Sequence, residues 1–280
     1  MSIQIVTDST CDLPLELLQQ YPITVIPCYI NIDDKSYLDG VEISREEFYQ
    51  RLPLAVQPPT TSAPGPGVFL ETYKNLIEAG ATAIFSIHIT KHFSNICNVA
   101  GLAAEEITTV PIHVIDSGNL TLAEGLVVLQ AAQAARDGAS VEQVLKGILN
   151  TIKHANAYAK LDTVDYLKRS GRLSTIQHGV ISLLDIKPIL KMNDGLAKME
   201  VVRTRGKAFL RVVEKAIEIA PKALYLGITH ANIPEQVEQL LTTLKEQFPG
   251  LPKPLISEVT PALGTHVGPG ALCLSWISQD

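Results

Sequence analysis

Ile3-Gln-Ile-Val-Thr-Asp-Ser-Thr-Cys-Asp-Leu-Pro-Leu-Glu-Leu-Leu-Gln-Gln20 begins with a short apolar run and passes through a polar knot into helical spacing. Ile3–Thr7 is too short and too continuously apolar for an amphipathic helix and reads as a buried strand. Pro14–Gln20 has apolar residues at helical intervals. Asp8-Ser9-Thr10 lies between them, where a strand ends and hands over to a helix. The unit repeats along the first half of the chain. Thr24–Ile30, Ala83–Ile87 and Ile112–Ile115 read as buried strands, and Ser44–Gln50, Gly67–Glu78, Asn95–Ile107 and Leu120–Arg136 as helices. Ser44 followed by Glu47 fits a capping box. Strand–helix alternation predicts a mostly parallel α/β sheet. Ligands bind such sheets beyond the carboxyl ends of the strands, where Asp8-Ser9-Thr10, Ser94 and Asp116-Ser117 converge.

The 280 residues exceed one typical domain of about 150. A helix over Val141–Ala157 ends near the expected boundary, which divides the chain into an N-terminal α/β domain, 1–157, and a C-terminal α+β domain, 158–280. The second half reads as a helix over Leu161–Ser170, an apolar run through Ile189, and a hairpin. The hairpin strands are Lys187–Met192 and Leu196–Thr204, turning at Asn193-Asp194-Gly195. A helix over Gly206–Ala220, a strand over Ala223–Thr229, a helix over Ile233–Phe248, a strand over Leu255–Val259 and a Gly-rich tail loop follow. Leu54–Gly67 reads as a Pro-rich loop without secondary structure, carrying Thr60, Thr61 and Ser62 at its middle.

Hydrophobic residues make up 46% of the chain and aromatic ones only 5%, so the cores are expected to be aliphatic. A net charge of −6 opposes binding to phosphate backbones, which argues against nucleic acid as a partner. Cys11, Cys28, Cys97 and Cys273 are scattered, without metal or redox spacing, and read as free, mostly buried thiols of a cytoplasmic protein. The start carries no basic region of a signal peptide. The apolar stretch Leu120–Ala135 is interrupted by Glu124 and reads as a buried helix, shorter than a membrane span. His88 and His92 have an i, i+4 spacing, but on a strand and a loop, so no metal is expected.

Several residues could carry chemistry. His266 stands in Leu263-Gly-Thr-His-Val-Gly-Pro-Gly-Ala271, where it either supplies a donor near neutral pH or caps a turn. Ser94 precedes a helix and is either an anion donor or an N-cap. Thr61 and Ser62 either join that anion or sit in solvent. Arg203, Arg205 and Lys207 form either a phosphate clamp or a solvated helix start. Ser94, His266 and Asp116 are one hydrolase triad to test, though Ser94 lacks the flanking glycines of a nucleophile elbow.

Seven motifs in order give the chain its resemblance to a known family. They are Ile5-Val-Thr-Asp-Ser-Thr-Cys-Asp-Leu-Pro14, Thr60-Thr-Ser-Ala-Pro64, Ile115-Asp-Ser117, Leu161-Asp-Thr-Val-Asp-Tyr-Leu-Lys-Arg-Ser-Gly-Arg-Leu-Ser174, Ile186-Lys-Pro-Ile-Leu190, Val202-Arg-Thr-Arg-Gly-Lys-Ala208 and Gly264-Thr-His-Val-Gly-Pro-Gly-Ala271. Together they resemble the DegV family, the lipid-carrying subunits of bacterial fatty acid kinase. The resemblance implies a two-domain fold with a lipid site between the domains. It implies a long-chain fatty acid in a buried apolar tunnel, held by its carboxylate at Thr61, Ser94 and His266. It further implies a non-catalytic role in phospholipid metabolism. A partner fatty acid kinase catalytic subunit phosphorylates the carboxylate, Arg203 serves the transfer or the partner, and transient membrane contact is allowed. No cofactor other than the bound acid is implied. An acyl hydrolase or acyltransferase using Ser94 and His266 is the alternative. The chain departs from the family where Ser-Gly-Thr-Tyr becomes Ser94-Asn-Ile-Cys97, Ser-Gln-Pro becomes Ser62-Ala-Pro64, Gly-Gly-Arg becomes Ser170-Gly-Arg172, and the Gly-x-Gly after Asp-Ser becomes Ala123-Glu-Gly125.

Overall fold

The computed structural model describes residues 2–176, 185–193 and 195–279. The elements of the first half are β1 (Ile3–Asp8), α1 (Leu15–Gln20), β2 (Ile23–Ile26), β3 (Tyr29–Ile32), β4 (Lys35–Leu38), α2 (Arg45–Arg51), β5 (Thr60–Ser62), α3 (Pro66–Glu78), β6 (Ala83–His88), α4 (Ile96–Glu105), β7 (Ile112–Asp116), α5 (Thr121–Arg136) and α6 (Val141–His154). Then come β8 (Ala155–Lys160), α7 (Asp165–Arg169), β9 (Lys187–Asn193), β10 (Leu196–Val202), α8 (Arg205–Ile219), β11 (Ala223–His230), α9 (Pro234–Gln247), β12 (Leu255–Glu258), α10 (Pro261–Val267) and β13 (Leu272–Ser278). The fold is two-domain α/β. A parallel sheet in the order β2-β1-β6-β7 forms its first half, and a mixed six-stranded sheet β10-β9-β8-β13-β11-β12 its second. A small antiparallel sheet β4-β3-β5 lies beside them.

Helix α5 joins the two large sheets. It packs against β1 and β6 of the parallel sheet and against β8, β11 and β13 of the mixed one. Its residues from Thr121 to Leu129 are all buried, as its nearly all-round apolar sequence requires. Gly125 makes the close approach sterically feasible, because a Cβ there would run into the Cys11 carbonyl and the Leu13 side chain. α8 and α9 cover the opposite face of the mixed sheet.

Several expectations are corrected. The single strand Thr24–Ile30 is two strands in different sheets, broken where Pro27 cannot donate to a ladder. The Leu54–Gly67 loop contains β5, which becomes a strand only by pairing Thr61 with Ile30. The helix ending at Ala157 stops at His154. β8 begins at Ala155, within the span assigned to the first domain, and we propose that it opens the second. The helix over Leu161–Ser170 is confined to Asp165–Arg169. The tail is no loop: Pro261 starts helix α10, Gly268 ends it at φ +71, and β13 follows in the middle of its sheet. The hairpin forms as expected, with Ala197 opposite Met192. Asp194 of its turn, and Gln177–Leu184 of the preceding apolar run, lie outside the described residues.

Buried carboxylates lock the carboxyl edge of the parallel sheet. Asp8 is fully buried and accepts from Thr10 N at 3.0 Å, Thr10 Oγ1 at 2.5 Å, His88 Nδ1 at 3.0 Å and Ile89 N at 3.2 Å. Thr10 Oγ1 also lies 3.1 Å from Glu124 Oε2, and one hydroxyl proton cannot serve both carboxylates. Burial, followed by the charge of Asp8, pushes the Glu124 carboxyl well up, which favours the protonated form that can donate to Thr10. Thr7 Oγ1 donates to Glu124 Oε1 at 3.2 Å. Asp12 accepts from Thr260 N and Thr121 Oγ1, and Asp39 accepts from Ser9 Oγ and Ala262 N. These two carboxylates anchor the start of α10. Burial raises Asp12 to about 6 and Asp39 to about 7.

The raised value at Asp39 has a measurable consequence. The carboxyl holds a proton in the folded chain at pH values where the unfolded chain, with an ordinary value near 3.8, has lost it. Its stabilising contribution is therefore complete below about pH 4 and is lost as pH rises through about 7. Asp39→Asn removes this titration. Between pH 4 and 7, urea denaturation should show its stability falling less steeply than that of the unmodified protein, by up to about 1.4 kcal/mol per pH unit. Equal slopes would show that Asp39 titrates normally.

Candidate functional site

Between the two sheets lies a cavity of about 230 Å³. One wall is built from small residues in strand register. Ala159 pairs with Leu190 on one side and Cys273 on the other, and Ala157 lies two residues along on the same face. Alanine and cysteine here leave open the volume that leucine or isoleucine would fill. Ile89, Phe93, Ile96 and Leu120 come from the carboxyl edge of the parallel sheet, and Ala262, Leu263 and Val267 from α10.

The apolar lining gives way to polar groups at one end. Thr61, on β5, and His266, in the last turn of α10, meet there with Oγ1 and Nε2 2.9 Å apart. Ser94 lines the same cavity and accepts the Ile96 amide at 3.4 Å through its Oγ, leaving its hydroxyl proton free. Thr61, Ser94 and His266 thus share one cavity. Arg172 joins them, a residue to which sequence reasoning assigned no role. Its Nη1 donates to the Ser170 carbonyl at 2.7 Å and its Nε to the Phe93 carbonyl at 3.5 Å. Gly171, at φ +75, makes the turn that places it, and Ser170-Gly-Arg172 was the available signal. Thr61, His266 and Arg172 also line an open polar cleft on the far side, bordered by Arg169, Ser170 and Tyr166.

The tail motif explains the position of His266. A Cβ at Gly268 would strike the Tyr166 ring, so α7 packs directly against the end of α10. Burial, then the nearby Arg172 charge, lowers the His266 pKa to about 4, so the ring is neutral at neutral pH. With the ring proton on Nε2, His266 donates to Thr61 Oγ1 and leaves the Thr61 hydroxyl free to donate to an anion. No described residue lining the cavity is Asp or Glu. Hydroxyls, a neutral imidazole and one guanidinium suit a carboxylate ligand.

The hydrolase triad is not assembled. Asp116 accepts from Lys91 N and Gly118 N in a different cleft. Arg203 is exposed between β10 and α8 and does not line the cavity. Its neighbour Arg205 pairs with Asp162 at 2.8 Å, and Thr204 caps α8 through Lys207 N. His88 is buried in the Asp8 network and His92 is exposed. Among the described residues no cluster of three or more His, Cys, Asp or Glu could hold a metal, and no helix is long and apolar enough to cross a membrane. The four cysteines are free, and burial raises the pKa of each thiol.

Removing the Arg172 charge should raise the His266 pKa. In Arg172→Gln an NMR titration should find it above about 4 but, because burial persists, still below 6.5. An unchanged value would show that Arg172 does not act on the ring.

A family model described as "Uncharacterised protein, DegV family" matches residues 2–279. A DegV domain-containing protein of Listeria monocytogenes is 38% identical over 281 residues, covering 98% of each chain. The crystal structure of DegV, described as a fatty acid binding protein from Bacillus subtilis, superposes with a TM-score of 0.90 at 31% identity, covering all of both chains. A stearic-acid-binding protein from Eubacterium ventriosum has a TM-score of 0.87 at 26% identity, covering 99% of this chain and 98% of its own.

Proposed function

The chain belongs to the DegV family, and from that premise we propose that it is a non-catalytic carrier of a long-chain fatty acid. The acyl chain lies in the apolar cavity, and its carboxylate meets Thr61, Ser94, His266 and Arg172. One observation carries this reading: Thr61, His266 and Arg172 line both the largely apolar cavity and an open polar cleft. The relatives described as fatty-acid binding support it.

The energetics favour retention. At about 0.8 kcal/mol per buried methylene, some 14 methylenes contribute roughly 11 kcal/mol. Association and ordering take back several kcal/mol. The carboxylate is costly to bury without donors, and a charge-assisted bond from Arg172 with two hydroxyls offsets that cost. The replacement of Gly-Thr-Tyr by Asn95-Ile96-Cys97 leaves this set intact. Ile96 becomes part of the wall, and the Cys97 thiol is directed to the Ile89 and Ile115 carbonyls.

Mass spectrometry of an organic extract should find a saturated or monounsaturated fatty acid. Ser94→Ala and Thr61→Val should each weaken palmitate or oleate binding by about 1.5–3 kcal/mol in titration calorimetry. Unchanged affinity in both would place the head group elsewhere.

The reading extends to phosphoryl transfer. The polar cleft offers a route to the carboxylate that does not cross the acyl chain, and a partner fatty acid kinase would phosphorylate the bound acid there. Arg203, exposed and planar, would serve the partner or the transferring phosphoryl group. Arg203→Ala should leave fatty-acid affinity and Tm unchanged while acyl-phosphate formation, assayed with a fatty acid kinase catalytic subunit and ATP, falls by orders of magnitude. Early melting, or lost lipid with normal phosphorylation of the remainder, would show a structural role.

A further inference from the structure

One side chain stands between the cavity and a neighbouring cleft. Met192 is the one described residue that lines both the cavity and a separate polar cleft bounded by Lys91, Asp116, Asn119 and Lys153. Strand register gives its place. β8 pairs Tyr158 with Lys191 and Ala159 with Leu190, so Ala157 falls beside Met192. In the other direction β8 runs to Leu161, also in the cavity wall, and on to α7, which packs against the end of α10 that bears His266. Ala157 and Leu161 are four residues apart, about 13 Å of strand. Met192 and the Leu161 end of β8, which leads to α7 and His266, therefore stand about 13 Å apart along the cavity wall.

Met192 is held where it can act as a stop. It is buried on β9, facing Ala197 across the hairpin. The hairpin tip docks on the loop after β6, where Thr90 Oγ1 donates to the Gly195 carbonyl at 3.4 Å and a Cβ on Gly195 would come within 3.2 Å of the His92 ring. The backbone is fixed by these contacts, while the unbranched thioether fills whatever width remains.

We propose that Met192 sets the length of acyl chain that the cavity accepts. The proposal rests on the fatty-acid reading above. A tail that reaches Met192 gains nothing from further methylenes, because they would have to displace the side chain or stay out of the cavity. Truncating the residue joins the cavity to the space beside Ile152 and Ala155 in the neighbouring cleft, and enlarging it shortens the cavity.

The test is a series of dissociation constants for straight-chain acids from decanoate to docosanoate, measured on the full chain and on Met192→Ala and Met192→Phe. Affinity should rise about fourfold per carbon up to a break point and then level off. Met192→Ala should move the break to longer chains and Met192→Phe to shorter ones. A two-carbon shift changes the ratio between acids on either side of the original break by about sixteenfold. Should Met192→Ala fail to fold, Ala197→Leu narrows the same end from the partner strand and should move the break as Met192→Phe does. Break points that stay put in folded variants would overturn the role of Met192 and leave the fatty-acid reading standing. An unmodified protein that binds none of the acids would overturn both.

Discussion

The carboxylate of Asp8 holds together the part of the molecule on which everything else is assembled. It sits at the carboxyl end of β1 with no solvent contact, and four donors from the β1 loop and from the end of β6 converge on it. A charge in that position is tolerable only because its hydrogen bonds are complete. Two of the residues it fixes, Thr10 and Ile89, line the cavity. Through Thr10 it also reaches Glu124, on the helix both sheets share. Binding-site geometry and domain packing thus draw on the same polar network.

That network contains a constellation resembling a hydrolase site. Ser86 Oγ lies 2.7 Å from His88 Nε2, whose Nδ1 donates to Asp8 at 3.0 Å. All three residues are fully buried, and Ser86 Oγ also accepts a hydrogen bond from the Tyr73 hydroxyl. The spacing is that of a nucleophile, base and orienting acid, but no substrate can reach it. Thr61 and His266 show the converse. They lack a carboxylate partner but stand where a cavity and an open cleft meet. Access, more than spacing, separates a site from a structural hydrogen-bond chain.

The parallel half of the fold was legible because its strands are continuous apolar runs and its helices start with recognisable signals, as at Ser44, which caps α2 through Glu47 N. β8 and β5 were not. Ala155-Asn-Ala-Tyr-Ala-Lys160 has the composition of a helix end, and its Ala157 and Ala159 leave room in the cavity wall. Thr60–Ser62 is a strand only through its neighbour β3. Among the site residues, Thr61, Ser94 and His266 were legible from motifs, and all three line one cavity. Arg172 escaped because its contribution depends on a turn at Gly171 and on a carbonyl at Phe93, distant in sequence. Met192 has no motif at all, and its place follows only from the pairing of β8 with β9.

The order of strands in the mixed sheet bears on how the chain matures on the ribosome. β13 lies between β8 and β11, yet synthesis reaches it after every other strand. Until it emerges, β8 and the hairpin cannot join β11 and β12, and α5 has lost one of the strands that shield its second apolar face. The parallel sheet is complete once β7 has emerged and needs no strand of the second half. Long-range closure of this kind is slow and leaves surface open to association. β13 also supplies Cys273 to the cavity wall, so that wall is complete only when β13 is in place.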